Sequence, residues 1–122
     1  MILVDTSIWI DHLRIGEPRL IDLLNHGQVL MHPFVIGELA CGNLRQRDEI
    51  LRLLGNLPQS PVASETEALY FLERNQLMGK GVGYIDVHLL AATALAENAL
   101  LWTRDKRLRK IAGGMGLLLD CA

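Results

Sequence analysis

The chain has 122 residues, half of them hydrophobic, and a formal net charge of −2 at pH 7. This length suits one domain with a full hydrophobic core, and the near-neutral charge excludes a global attraction to nucleic acid or to an anionic membrane. No apolar run approaches the length of a membrane span. The mean hydropathy of +0.22 is high for so short a chain. It indicates either apolar surface reserved for a partner or a second copy, or simply a well-filled core.

The thiols and the N-terminus indicate a cytoplasmic location. Cys41 and Cys121 lie 80 residues apart and form no CxxC pair. Two thiols in a chain with a full core favour a reducing compartment and no disulfide framework. The first residues lack the basic segment, apolar segment and small-residue cleavage site of a signal peptide.

Short apolar runs alternate with amphipathic segments along the chain. Strands are predicted at residues 2–5, 28–32, 99–103 and 117–119, with a short additional strand at 62–63. Helices are predicted over about residues 6–15, 18–26, 33–42, 46–54, 64–78 and 84–98, and in a basic segment ending at residue 112. Ser64 and Glu67 form a capping-box pattern at one helix start. The alternation predicts a mostly parallel α/β sheet in a single domain, residues 1–122.

Four acids lie in apolar surroundings: Asp5, Glu38, Asp86 and Asp105. Carboxylates there are costly unless they are paired or bind a metal. Asp5 and Asp105 both follow a predicted strand, and ligands of parallel sheets bind at the carboxyl ends of the strands. One shared site would be a cage of oxygen ligands for Mg²⁺, with Mn²⁺ as a substitute. The alternative is that each acid only starts or caps a helix, or is a solvated helix residue in the case of Glu38.

Three hydroxyl residues lie beside these acids. Thr103 is placed to hydrogen-bond a ligating carboxylate, and Thr6 and Ser7 follow Asp5 directly. Each also has a structural alternative, because Thr6 or Ser7 can cap a helix and a β-branched residue suits a strand. His88 lies two positions from Asp86 and so faces roughly the other way on a helix. It is interpreted as a packed histidine or an interface residue rather than a catalytic one.

A basic run follows Asp105, with five cations in the seven residues 104–110. It is either the solvated face of an amphipathic helix or a surface that holds a nucleic-acid backbone beside the acids. The candidate RNA contacts are Arg104, Lys106, Arg107 and Arg109.

Four motifs, taken in order, resemble the PIN-domain ribonucleases, and most closely the VapC toxins of bacterial toxin–antitoxin pairs. They are Ile2-Leu3-Val4-Asp5-Thr6-Ser7, Pro33 to Gly42 with Glu38, Gly83 to Ala92 with Asp86, and Leu101 to Leu108 with Thr103 and Asp105. Many members of the family carry a further acid two residues after the fourth acid, and here that position is Arg107.

The resemblance implies a PIN-like three-layer sandwich, with a mostly parallel central sheet of four to five strands and helices on both faces. It implies a metal-dependent endoribonuclease with Asp5, Glu38, Asp86 and Asp105 as catalytic and metal-binding residues. It also implies a homodimer and a cognate VapB-like antitoxin. An apolar groove for that antitoxin is expected on the first two helices and helix 33–42, from Trp9, Leu13, Leu20 and Leu24.

Other functions fit the sequence less well. A receiver-like phospho-accepting domain needs an acid pair after the first strand, but Thr6 and Ser7 follow Asp5. A phosphatase with an Asp nucleophile needs a second Asp where Ser7 stands. A catalytically inactive PIN-fold binding module is disfavoured because all four acids are present.

Overall fold

The computed structural model of the protein describes residues 1–120, so Cys121 lies outside the described residues. Three short strands form one parallel sheet in the order β2-β1-β3: β1 (Ile2–Val4), β2 (Val29–Leu30) and β3 (Leu100–Trp102). The register pairs Leu3 with Leu30 on one side and with Leu101 on the other. Because the two crossovers run in opposite directions across the sheet, right-handed connections place helices on both faces.

Seven helices connect and cover the strands in residues 1–120: α1 (Thr6–Ile15), α2 (Pro18–Asn25), α3 (Pro33–Ala40), α4 (Arg47–Gly55), α5 (Glu65–Arg74), α6 (Tyr84–Leu95) and α7 (Lys106–Gly114). All seven predicted helices are therefore present. Two of them end three or more residues earlier than predicted, at residues 74 and 95 rather than 78 and 98. Beyond these ends Gln76 and Asn98 have left-handed backbone conformations, with φ of 52° and 60°, that cannot continue a helix. None of the seven is long and apolar enough to cross a membrane.

The sheet is smaller than the four to five strands expected. Residues 62–63 form no strand; instead Gln59 makes a single parallel bridge to Met31. Leu118 likewise bridges only Leu101, so the expected strand at 117–119 is reduced to one residue pair. Each segment touches the sheet edge too briefly to form a ladder of hydrogen bonds. The parallel order and the layered architecture match the prediction, and the strand count was wrong.

The core is centred on β1 and on helix α6. All three residues of β1 are buried, and α6 is buried without a break from Val87 to Thr93. This matches the nearly all-round apolar pattern of that helix. The predicted capping box of α5 is also present: the Ser64 hydroxyl accepts from the Glu67 N–H at 3.1 Å, and the Glu67 carboxylate accepts from the Ser64 N–H at 2.8 Å.

The carboxyl ends of β1 and β3 meet at one edge of the sheet. The register sets Val4 opposite Trp102, and the next N–H along, that of Asp5, donates to the Trp102 carbonyl at 2.9 Å. Parallel neighbours end at the same edge, so the residues that follow the two strands are brought together. These residues are Asp5 on one side and Thr103 to Asp105 on the other.

Candidate active site

Asp5 is the most buried of the four acids, with 7% of the residue exposed. It occupies the N-cap position of α1, but its carboxylate makes no capping hydrogen bond. Instead Oδ2 accepts from the Ser7 hydroxyl at 2.9 Å and from the Thr103 hydroxyl at 2.7 Å. Helix capping therefore does not explain why this acid is buried at the edge of the sheet.

Thr103 links two of the acids through one buried hydroxyl. The residue is fully buried, and its Oγ1 donates to Asp5 while accepting from the backbone N–H of Asp105 at 3.1 Å. Asp105 itself caps α7, since its Oδ1 accepts from the Leu108 N–H at 2.9 Å. Thr103 thus fixes the relative position of Asp5 and of the backbone that carries Asp105.

Glu38 reaches the same edge from α3. Its Oε1 accepts from the Thr6 hydroxyl at 2.7 Å, and Thr6 follows Asp5 directly at the start of α1. The residue is exposed, in contrast to Asp5. The three hydroxyls predicted to contact the acids therefore each hydrogen-bond one of them.

Asp86 completes the group from the first turn of α6. Its Oδ2 accepts from the Gly83 N–H at 3.1 Å, which is a helix-start role. Burial raises the pKa of the Asp86 carboxyl above its ordinary value, although the Gly83 hydrogen bond offsets part of that effect. The negative charges of Asp5, Asp105 and Glu38 raise the pKa further. The fold therefore brings the other three carboxylates within electrostatic range of Asp86.

The donor set fits a hard divalent cation. All four groups are carboxylates, which suit Mg²⁺ and Mn²⁺, and a cation would relieve the repulsion felt at Asp86. Within residues 1–120, no three acid, histidine or cysteine side chains converge closely enough to form a complete cage as they stand. Mg²⁺ does not require one, because it keeps several waters and uses one or two carboxylates.

The basic run divides into two groups. The Arg104 guanidinium donates to Asp11 and to Glu17, each at 2.6 Å. Arg109 donates to the Thr103 carbonyl and to Asp120, each at 3.2 Å. Within residues 1–120, Lys106 and Arg107 form no ion pair. Two of the four candidate RNA contacts, Arg104 and Arg109, are therefore already bound to carboxylates.

Two buried histidines lie next to each other behind the site, and sequence reasoning missed the pair. His32 is fully buried and caps α3 through Nδ1, which accepts from the Phe34 N–H at 3.0 Å. His88 packs edge-on against Phe34 and Tyr84, as its interpretation as a packed histidine predicted. Within the described residues His32 Nε2 and both His88 nitrogens have no hydrogen-bond partner.

The groove expected on the first helices has a different lining. Trp9 and Leu20 are buried in the core, with 2% and 0% exposed, so they offer no docking surface. A cavity of about 670 Å³ instead lies between α1, α3 and α4, beside Glu38. Its apolar lining is Ile10, Leu13, Leu39, Leu44 and Ile50, and its cations are Arg14 and Arg45.

Comparison with known proteins identifies the class. The family model described as the PIN domain matches residues 2–114. The chain therefore belongs to the PIN-domain family.

One similar sequence and one similar structure add to this result. The chain is 49% identical over 119 residues to Ribonuclease VapC32 of Mycobacterium tuberculosis, in strains CDC 1551 / Oshkosh and ATCC 25618 / H37Rv, covering 98% of this chain and 96% of the relative. Its structure is similar to that of FitAcB from Neisseria gonorrhoeae, with a TM-score of 0.63 and 19% identity over 93% of this chain and 94% of that chain. The first likeness places it among VapC-type members, and the second supports the fold.

Proposed function

We propose that this chain is a metal-dependent endoribonuclease, the toxin of a type II toxin–antitoxin pair, which cleaves cellular RNA and arrests growth. The 49% identity to a relative named as a ribonuclease supports the activity. The observation that carries the proposal is the electrostatic coupling of Asp86 to the three other acids. Charges gathered at such a cost are typical of functional sites.

The residues divide the chemistry between them. Asp5 and Asp86, the less exposed acids, are the best metal ligands, with Glu38 and Asp105 completing the set. A bound Mg²⁺ supplies Lewis-acid polarisation of the scissile phosphate and makes a nearby water more acidic. Glu38 is exposed at the edge and is placed to take the proton of the attacking water. Thr103, Ser7 and Thr6 hold the carboxylates in position.

Cleavage by variants of the acids tests the activity. Asp5→Asn and Asp86→Asn should abolish Mg²⁺- or Mn²⁺-dependent RNA cleavage, with wild-type products that carry a 5′-phosphate and a 3′-hydroxyl. Asp48→Asn is the matched control, because Asp48 lies in the first turn of α4, outside the site. Wild-type activity in Asp5→Asn or Asp86→Asn would refute the assignment, and the mapped RNA ends would identify the substrate.

Thermal melts test the metal site without relying on activity. In EDTA, Asp86→Asn should melt at or above the wild-type temperature, because the amide removes a charge but keeps an acceptor for the Gly83 N–H. Mn²⁺ at a hundredfold excess over its dissociation constant should stabilise wild type by about 2.7 kcal/mol. The variant should respond much less. An equal Mn²⁺ response would exclude Asp86 as a ligand, and a large loss of stability in EDTA would make it a structural helix-start residue.

A cognate VapB-like antitoxin is proposed to occupy the cavity between α1, α3 and α4. An amphipathic segment fits its apolar lining, and Glu38 at its edge offers a carboxylate to a basic residue of the partner. Ile10 is 45% exposed in that lining. Ile10→Arg should therefore abolish co-purification with the product of the adjacent small gene and leave RNA cleavage intact. Leu69→Arg, at a residue 54% exposed on α5, is the control. Co-purification with Ile10→Arg at the wild-type level would place the antitoxin elsewhere.

A homodimer and a cytoplasmic location complete the proposal. An apolar groove between α5 and α6, with Tyr70 and Leu95 57% and 49% exposed, supports association with a second copy. Light scattering of the purified chain measures the molar mass in solution and so tests the homodimer.

Cys41 is exposed and free, which favours a reducing compartment. The inactive binding module remains the alternative that the cleavage assay decides, and the family match argues against a receiver-like domain.

A further inference from the structure

Three cations line one pocket, and the proposed chemistry uses none of them. The pocket has a volume of about 580 Å³ and lies between the end of α5, the loop at residues 79–83 and α7. Its charged residues are Lys80, Arg107 and Lys110, and no acid lines it. Within residues 1–120, none of the three forms an ion pair. Their charges are therefore available to a ligand.

The three cations are organised by the backbone rather than scattered. Arg107 and Lys110 are three residues apart on α7, so they share one face of the helix. Gly81 has φ of +79°, and a Cβ there would lie 2.7 Å from both Cδ and a terminal nitrogen of Arg107. The Arg107 side chain thus lies directly against the backbone of the loop that carries Lys80. Glycine is needed at residue 81 for both its conformation and this contact.

The two segments that line this pocket continue directly into two of the four acids. Arg107 lies two residues after Asp105, and the loop that carries Lys80 supplies the Gly83 N–H that donates to Asp86. We therefore expect an RNA strand bound across the acids to continue toward the pocket. The volume falls in the range of pockets that hold small ligands, roughly 300–1,000 Å³.

We propose that Lys80, Arg107 and Lys110 form a binding subsite for backbone phosphates of the RNA strand on one side of the cleaved bond. Guanidinium and ammonium groups are the usual partners of phosphate, and contacts of this kind position a strand without reading its sequence. Arg107 serves the substrate rather than the metal. Arg104 and Arg109, held by carboxylates, lie outside the subsite. The inference rests on the proposed nuclease function.

Binding in EDTA tests the subsite apart from cleavage. The probe is a fluorescent single-stranded RNA of mixed sequence, and anisotropy gives its dissociation constant at several salt concentrations. Affinity falls as salt rises, and each phosphate contact with a single strand contributes about 0.7 to the steepness of log affinity against log salt. Lys80→Ala/Lys110→Ala should reduce the steepness of that slope by about 1.4 and weaken binding at low salt. Arg19→Ala/Arg52→Ala, which removes two exposed cations from α2 and α4, should leave the slope unchanged.

Gly81→Ala provides a second variant with no change of charge. The added methyl group displaces Arg107, so the slope should fall by about 0.7. A thermal melt confirms that this variant is folded. A wild-type slope in both pocket variants would overturn the subsite, even if the acid variants abolish cleavage. A loss of antitoxin binding with normal RNA binding would overturn it too, because it would assign the pocket to an acidic segment of a partner protein. A wild-type chain that binds RNA through the pocket but never cleaves it would refute the nuclease alone.

Discussion

Replacement of Thr103 by valine is the sharpest test of how the site is held together. Valine keeps the branched shape of threonine but removes the hydroxyl that donates to Asp5 at 2.7 Å and accepts from the Asp105 N–H at 3.1 Å. A hydrogen bond to a charged group contributes about 1.5–3 kcal/mol. Loss of an acceptor for a partly buried N–H costs about 1 kcal/mol more. We therefore expect Thr103→Val to lower the free energy of unfolding by about 2–4 kcal/mol.

Urea denaturation in EDTA measures that loss, and cleavage rates measure the consequence for the site. Thr93→Val is the matched control, because Thr93 is equally buried and its hydroxyl only donates to the Leu89 carbonyl within α6. It should cost less than about 1 kcal/mol. Thr103→Ser should recover most of the cleavage rate, since serine restores the hydroxyl. Equal losses in the free energy of unfolding for Thr103→Val and Thr93→Val would show that the hydroxyl bridge between Asp5 and Asp105 adds no stability beyond that of an ordinary buried threonine.

Two further predictions concern charges outside the acid group. Arg104→Ala removes ion pairs to Asp11 and Glu17, whose side chains are 41% and 20% exposed. The free energy of unfolding should therefore fall by only about 1 kcal/mol at low salt and by less at high salt. A loss that salt does not reduce would contradict a screened ion pair. His32→Asn should flatten the fall in stability between neutral pH and about pH 4, as measured by urea denaturation at a series of pH values.

The clustering of the acids and the parallel arrangement of the strands could be predicted from the sequence. A buried parallel strand is a short apolar run, and an acid directly after it marks the edge where strands end. Asp5 and Asp105 carry that signal themselves. Glu38 and Asp86 carry a weaker one, an acid within an apolar helix. The cost of a carboxylate in apolar surroundings, which one shared metal site would offset, was the reason to join them to the other two.

The features that the sequence did not predict depend on side chains far apart in the chain. No local pattern links Arg104 to Asp11 and Glu17, because the ion pairs form only after β1 and β3 are adjacent. The strand count failed for a related reason. An apolar run such as 117–119 shows that a segment is buried, but whether it forms a ladder or a single bridge depends on how the chain enters the sheet edge. Lys80 and Arg107 likewise line the same pocket only because the conformation of Gly81 lets the Arg107 side chain lie against the loop.

The pH dependence expected from His32 has a definite sign and size. Burial, with a smaller effect from the neighbouring His88, lowers the pKa of His32 to about 4. The charge of Glu65 on α5 acts on His88 and partly offsets the lowering of the His88 pKa by burial. Because an exposed histidine titrates near 6.5, the unfolded chain takes up a proton first as the pH falls. The stabilising contribution of neutral His32 is thus complete above about pH 6.5 and lost by about pH 4, a change of about 3 kcal/mol.

Asparagine isolates this contribution, because it can still accept the Phe34 N–H at the start of α3 but does not titrate. Asparagine is smaller than histidine and fills the buried space less completely, so His32→Asn is less stable at every pH. The comparison is therefore between the slopes of unfolding free energy against pH and not between absolute values. His26→Asn is the control, since the His26 side chain is 68% exposed and should leave the slope unchanged. If His32→Asn and wild type lose stability equally between pH 6.5 and 4, the acids titrating in that range account for the slope and the buried histidine does not.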